Sequence, residues 1–415
     1  MFFSFSQVKA YNTHYQAIMK VAHLFDRYLN NTMSWAYRLI RYTPDLEKTI
    51  VSPLVLRNRF FDADFEYIED PVQNGLGLPV VKSEWEISEP RKLWCGFALR
   101  TYFPFYVKNV ILKCGIDVMH AHFAHVGVAF MHVAEKLKVP LIVSFYGTDY
   151  ERLPFEKPRY KKWYRKMFEV ATFVVCEGKN GAILLEKLGC PAEKIRTVRL
   201  GIDAQSIPDI TKGKRANSLS LVQAATFTET KGFLFTLQAF LLALEDCPDM
   251  TLTLVGEKWD QKYWVEMQEL ISKSPYQDRI TVLDFIEDDF HGFLSRFDVF
   301  IHPSCYSALR ECEGGAPIVL LDAQAVGLPV ISTHHCDIPE EVVDGVTGLL
   351  SEEKNVSALR DSIVRFYHME EKEYLDFSQS ARKHVFQNYD SSKNSLSMKA
   401  VYEEALLSAH KFATN

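Results

Sequence analysis

No apolar run in this chain reaches the ~20 residues that cross a bilayer; the best, Phe233 to Leu244, is broken by Thr236 and Gln238. The opening stretch, Met1 to Lys20, lacks the combined basic, apolar and small-residue segments of a secretory signal. The expected compartment is therefore the cytoplasm. The cysteines (Cys95, Cys114, Cys176, Cys190, Cys247, Cys305, Cys312 and Cys336) form no C-x-x-C pair. That argues against a zinc knuckle and a disulfide framework, and for reduced thiols. No G-x-G-x-x-G follows a first strand, which disfavours a single-domain nicotinamide enzyme.

What is present is length and a repeated pattern. At 415 residues and 47% hydrophobic content, the chain has material for two cores. The net charge of −6 is unevenly spread: residues 1–205 carry 28 Lys and Arg against 21 Asp and Glu, the remainder 19 against 32. A basic half joined to an acidic half suggests different partners for each, with no nucleic acid among them.

Both halves alternate short β-branched runs with helix-period segments, which predicts parallel sheets covered by helices. Strands are expected at Lys20 to Phe25, Thr49 to Ser52, Asp117 to His120, Pro140 to Phe145, Thr172 to Cys176 and Ile195 to Arg199. Gly201 to Asn217, polar and broken by Pro208 and Gly213, reads as a linker. The pattern restarts with strands at Leu219 to Ala224, Met250 to Val255, Ile280 to Leu283, Val299 to His302 and Pro329 to Ser332. The fold class is α/β: two Rossmann-like doubly wound domains facing across a cleft, where such sheets bind ligands. The expected boundaries are an extension at 1–18, a first domain at 19–205, a second at 206–385 and a helical segment at 386–415 packing back toward the first domain.

The most informative run is Glu311 to Ser332. Glu313 precedes Gly314, Gly315, Ala316 and Pro317, and a helix begins near Ile318. Glycines allow close backbone approach, and a helix N-terminus favours an anion such as a diphosphate. Asp322 lies about one turn into that helix, placed to accept hydrogen bonds from hydroxyls.

This run resembles the signature of retaining glycosyltransferases of the GT-B fold, glycosyltransferase family 4: E-G-x-P-x-x-x-x-E-A-x-A-x-G-x-P-V. It departs in holding one extra glycine between the two acids and in having Asp322 where Glu is usual. The resemblance implies that Glu313 contacts the donor sugar and Asp322 the nucleotide ribose, with Glu311 a weaker candidate for the first role. Ala225-Thr-Phe-Thr-Glu-Thr-Lys-Gly232 resembles the family's G-R-x-x-x-x-K-G loop, in which Arg and Lys grip the diphosphate. Lys231 is present, while Thr226 stands where the Arg is usual, so Lys231 should matter more. Gly256 matches a strand-end glycine near the nucleotide, Asp298 to Ser304 the strand before the acidic motif, Leu200 to Asp203 the hinge, and Asp344 to Gly348 a turn after the donor helix. In the first half, Asp117-Val-Met-His-Ala-His122 resembles a strand ending in H-x-H, which implies that His122 faces the reaction centre. Ser144-Phe-Tyr-Gly-Thr-Asp149 resembles S/T-F-H-G-x-D with Tyr146 in place of the histidine, making Tyr146 and Asp149 candidate acceptor or sugar contacts. Asn31 and Thr32 fall where the family's first loop closes over the diphosphate and acceptor, which makes them candidate acceptor or sugar contacts as well.

The implied activity is retaining transfer from a nucleotide-diphosphate sugar to a glycan or lipid-linked acceptor in bacterial surface polysaccharide assembly. No cofactor or metal is required by it. Two rivals stand beside it: a zinc hydrolase using His120, His122 and His125, whose spacing approaches H-x-H-x-D-H, and a non-catalytic subunit that binds the sugar nucleotide. Asp62-Ala-Asp64 mimics a D-x-D manganese motif and is discounted, since no apolar strand leads into it. His334-His-Cys-Asp337 reads as a polar loop beside the donor. Lys157 to Lys166 interleaves basic and aromatic residues, suiting either an anionic membrane surface at the inner face of the cell membrane or a solvated helix. Arg91 to Lys113 extends that patch.

Overall fold

A computed structural model describes residues 18–57, 61, 65–208, 210 and 213–413. Asp62 to Asp64 and nearly all of the 1–18 extension lie outside these residues.

The first sheet has seven parallel strands: β1 (Met19–Leu24), β2 (Leu46–Val51), β3 (Glu66–Ile68), β4 (Val118–His122), β5 (Leu141–Ser144), β6 (Phe173–Cys176) and β7 (Ile195–Thr197). Their order is β3-β2-β1-β4-β5-β6-β7. The second sheet has six: β8 (Leu219–Ala224), β9 (Met250–Val255), β10 (Ile280–Leu283), β11 (Val299–Ile301), β12 (Val330–Thr333) and β13 (Gly348–Ser351). These run β10-β9-β8-β11-β12-β13. The central strands are buried throughout, because helices cover both faces, and are largely apolar apart from the two histidines of β4. Each sheet reverses strand order once, between β1 and β4 and between β8 and β11. Loops leaving the carboxyl ends at a reversal diverge and open a crevice. The two crevices face each other.

The edge strands β3 and β13 escape the sequence pattern. β3 is three residues with only Ile68 buried, and β13 starts on a glycine whose added Cβ would sit 2.2 Å from the Val330 carbonyl oxygen. Helices Glu89–Arg100 and Phe103–Cys114 occupy the stretch read only as an aromatic and basic patch.

The chain crosses between the sheets twice, side by side. The Ile202 N–H donates to the Tyr389 carbonyl (2.9 Å) and the Ser391 N–H to that of Ile202 (2.8 Å). After the second crossing, helix Ser391–Ala413 lays Met398, Val401, Tyr402 and Ala405 against Val21, Val118, Ile142 and Val175 of the first sheet. Burying side chains of this kind stabilises by ~1.5–3 kcal/mol each for the larger ones. The helix is thereby part of the first core.

Candidate functional site

A cleft of about 570 Å³ lies between the carboxyl ends of the two sheets. The first sheet contributes Asn30 to Trp35 after β1, Phe123 after β4, Tyr146 to Thr148 after β5 and Glu177 after β6. The second contributes Ala224 to Thr226 and Lys231 after β8, Gly256 after β9, Phe285 to Glu287 after β10, and the segment from Glu311 to Asp322.

Glu313 is the most tightly held acid in the cleft. Its Oε2 accepts from Lys231 Nζ at 2.5 Å and its Oε1 from Ser304 Oγ at 2.8 Å, while its own N–H donates to His335 Nε2 at 3.1 Å. His335 is oriented in turn by Glu353, 2.7 Å from its Nδ1. Burial pushes the Glu313 carboxyl up, but the Lys231 ammonium and His302 outweigh it and hold the group well below the usual carboxylate range. Glu311 turns away to Arg152 of the first domain, at 2.7 Å. Of the two, Glu313 is the acid beside Lys231.

Asp322 projects from the second turn of helix Ile318–Ala325 into the cleft wall. Its Oδ1 lies 3.0 Å from His291 Nε2 and 3.5 Å from Arg38 of the first domain. Burial raises this carboxyl; Arg38 and His291 reverse the effect and keep it ionised.

The two glycines of the loop serve a purpose other than the one expected. Gly314 has φ +86°, and a Cβ there would stand 2.5 Å from the Gly147 nitrogen. A Cβ on Gly315 would stand 1.8 Å from Glu177 Oε2. Neither glycine lines the cleft; both let the first domain press against the loop, and Ala316, Pro317 and Ile318 form the wall. Burial, reinforced by Asp337 and Glu313, raises the Glu177 carboxyl well above the usual range.

The histidines of β1 and β4 form a buried layer behind the cleft. Alternation along β4 puts His120 and His122 on one face, where His23 of β1 joins them. His122 Nε2 lies 3.1 Å from His23 Nδ1, and its Nδ1 lies 3.1 Å from the Tyr146 hydroxyl. His120 meets the Tyr402 hydroxyl at 2.7 Å and Ser144 Oγ at 2.8 Å. Burial lowers His122, with His120 and His23 adding to it, and lowers His120 to about 3, so the layer is neutral at neutral pH. His122 is fully buried and does not reach the cleft; Tyr146 lines it instead. His125 is absent from the grouped nitrogens, which are those of His23, His120 and His122. The chain turns at Phe123 (φ +79°) into helix Ala124–Leu137, which aims His125 at Asp26, 3.3 Å away. The set proposed from H-x-H-x-x-H spacing is therefore broken by a change of element.

Asp149 is also off the cleft. It is buried and accepts from the Tyr146 N–H at 3.1 Å, capping helix Gly147–Tyr150. Asn31 donates to Glu257 of the other domain at 3.3 Å, while exposed Thr32 bonds Asn30. The predicted residues brought together are thus Asn31, Thr32, Tyr146, Thr226, Lys231, Gly256, Glu313, Ala316, Pro317, Ile318 and Asp322. Arg38, Glu177, Glu257 and His291 had no local signal, since each matters through a partner from a distant segment. Ser304 closes the strand motif already noted, and its own role needed the position of Glu313.

Two family profiles cover most of the chain: Glycosyl transferases group 1 matches residues 209–384 and Glycosyltransferase Family 4 matches residues 77–206. The chain is 27% identical over 253 residues to the amylovoran biosynthesis glycosyltransferase AmsK of Erwinia amylovora, spanning 60% of this chain and 61% of that protein. It is 27% identical over 296 residues to the putative colanic acid biosynthesis glycosyltransferase WcaL of Escherichia coli K12, spanning 68% and 71%. Among solved structures, the sucrose-phosphate synthase of Thermosynechococcus elongatus superposes with TM-score 0.74 at 15% identity, covering 94% of this chain and all of that one. Anabaena HepE in complex with UDP and glucose superposes at 0.68 with 16% identity, covering 93% of this chain and all of that one.

Proposed function

From its membership of the group 1 glycosyltransferases with the GT-B fold, we propose that this chain transfers a sugar, with retention, from a nucleotide-diphosphate sugar to a glycan or lipid-linked acceptor in surface polysaccharide biosynthesis. The carrying observation is that Lys231, Glu313 and Asp322 meet the first domain's Tyr146 across one cleft at both strand-order reversals. Relatives named for amylovoran and colanic acid synthesis support the pathway class.

In this reading residues 206–385 hold the donor and 19–205 the acceptor. Lys231 and the start of helix Ile318–Ala325 stabilise charge gathering on the departing diphosphate, aimed where that charge develops. Lys231 has first to leave Glu313, and the acid so released orients sugar hydroxyls. Asp322 takes the ribose diol. His122 holds the Tyr146 phenol from behind rather than touching sugar, so Tyr146 is the polar contact from this side. The leaving phosphate accepts the acceptor's proton. Domain contacts at Gly147 and Glu177 exclude water and limit hydrolysis.

A thermal-shift screen of nucleoside diphosphates and their sugars tests the donor site, since a ligand at 100 times its Kd stabilises by ~2.7 kcal/mol. Absence of a shift with every diphosphate sinks the reading. Binding without diphosphate release in any acceptor extract supports the non-catalytic subunit instead. The anomeric configuration of the product, read by NMR, tests retention.

No helix among the described residues is long and apolar enough to cross a membrane. We place the acceptor at a membrane surface reached through Lys157 to Lys166. Helix Arg159–Val170 buries Tyr160 and Tyr164 and exposes Arg159, Lys161, Lys162, Arg165 and Lys166. Exposed Leu93 and Phe97 of helix Glu89–Arg100, and Phe105 and Leu112 of helix Phe103–Cys114, add apolar anchors. Sedimentation with anionic liposomes, lost on charge reversal of Lys161 and Lys162, is the expected outcome; no binding by either form refutes it.

A further inference from the structure

The cleft wall is poor in positive charge for a site that takes a diphosphate. Glu177, Glu257, Glu287, Glu311, Glu313 and Asp322 line it, and among the lining residues only Lys231 and Arg38 are Lys or Arg. A ligand with two or more negative charges entering this wall calls for positive charge to meet it. Lys231 reaches the wall from the donor domain. The second cation that the G-R-x-x-x-x-K-G pattern supplies is missing there, because position 226 is Thr.

Arg38 comes from the opposite side. It sits in the second turn of helix Ser34–Tyr42, directly after the Asn30 to Ser34 loop that lines the same cleft. One guanidinium nitrogen, Nη2, lies 3.5 Å from Asp322 Oδ1. The other, Nη1, is buried and has no hydrogen-bond partner. A buried guanidinium N–H left unpaired is costly, and native structures leave few such groups without a reason. Arg forks also suit phosphate better than any other side chain, through paired N–H donors. The guanidinium therefore has a spare donor, buried in the cleft wall beside the carboxylate that the donor reading gives to ribose.

Resting on that reading, we propose that Arg38 is a donor-binding residue contributed by the first domain. Turning from Asp322, its guanidinium binds the nucleotide's phosphate oxygens, supplying across the cleft the charge that Thr226 lacks, while Asp322 turns to the ribose hydroxyls. The donor is then gripped by Lys231 from one domain and Arg38 from the other. Donor occupancy and domain closure become one equilibrium, because a ligand held by both walls favours the closed state by its differential affinity.

The competing account is a strut: Arg38 and Asp322 merely tie the domains together. Calorimetry on the full chain separates the two, using UDP, GDP, ADP and dTDP, each paired with its parent nucleoside, on wild type, Arg38→Met and Arg38→Lys. The expected result is a Kd for the bound diphosphate raised about 10- to 100-fold by Arg38→Met. The matched nucleoside changes less than about threefold, and Arg38→Lys recovers part of the loss. Equal weakening of diphosphate and nucleoside, or no weakening of either, overturns the Arg38 role while leaving the donor site intact. Wild type binding none of the diphosphates overturns the donor reading itself. Ligand-free melting of both variants guards against misfolding; if Arg38→Met fails to fold, an unchanged diphosphate-to-nucleoside preference in folded Arg38→Lys refutes the proposal.

Discussion

Replacing Glu313 with Gln separates holding the donor from transforming it. Glu313 is 7% exposed and Lys231 23%, with their charged atoms 2.5 Å apart. Removing one partner of a fully buried pair costs ~3–5 kcal/mol, and of an exposed pair ~0–1. Lys231 keeps some solvent, and the Gln amide oxygen still accepts from it, so the expected destabilisation is ~2 kcal/mol. For a domain of this size that lowers Tm by ~4–8 °C. The native carboxyl sits well below its unfolded range, so the pair's contribution is present above the unfolded value near ~4.3 and is lost as pH falls below it. The gap between wild type and Glu313→Gln should thus stay constant from neutral pH down to about 5 and narrow only below that. Diphosphate binding should move the other way. In the proposed donor site the ligand competes with the Glu313 carboxylate for Lys231, whereas a neutral Gln amide holds Lys231 less tightly, so Kd for the diphosphate should stay equal or improve. Turnover falls by ~10² or more if Glu313 orients the reacting sugar. Calorimetry and diphosphate-release kinetics on the same preparation decide it. A tenfold loss of diphosphate affinity, or undiminished turnover, refutes the roles given to this pair.

Three further outcomes are expected. Gly315→Ala drives a Cβ into Glu177, so X-ray scattering should report a more open molecule and turnover should drop; adding Glu177→Ala should restore both, and failure to do so removes the packing account. Tyr402→Phe strips a 2.7 Å partner from fully buried His120 and should cost ~1–3 kcal/mol in urea denaturation, with a value near zero showing that the hydroxyl adds nothing to the docking of the helix. Burial raises the Asp26 carboxyl, but His125 and Arg27 prevail and bring it to about 2; its stabilisation is present above the unfolded value near ~3.9 and is lost as pH falls toward 2. Asp26→Asn should then cost ~2 kcal/mol at neutral pH, shrinking below pH ~4, and a deficit independent of pH contradicts the ion pairing.

Apolar periodicity marked the interior strands, and local motifs marked the second domain's side of the cleft. Interior parallel strands such as Phe173–Cys176 and Val299–Ile301 are buried throughout, so their apolar runs stand out in one dimension, whereas edge strand Glu66–Ile68 is three residues with one buried position and Gly348–Ser351 is four residues opening on a glycine. Lys231, Glu313, Ile318 and Asp322 belong to short loop-and-helix segments whose spacing is local, and that is why a pattern of letters located them. Tertiary structure alone decided what those groups touch. It turned the glycine pair into a seat for Gly147 and Glu177, set Tyr146 in front of His122, sent His125 to Asp26 and brought Arg38 to Asp322. Each of these pairs residues from different elements, and Coulomb and contact energies act over a few ångströms of space whatever the distance along the chain.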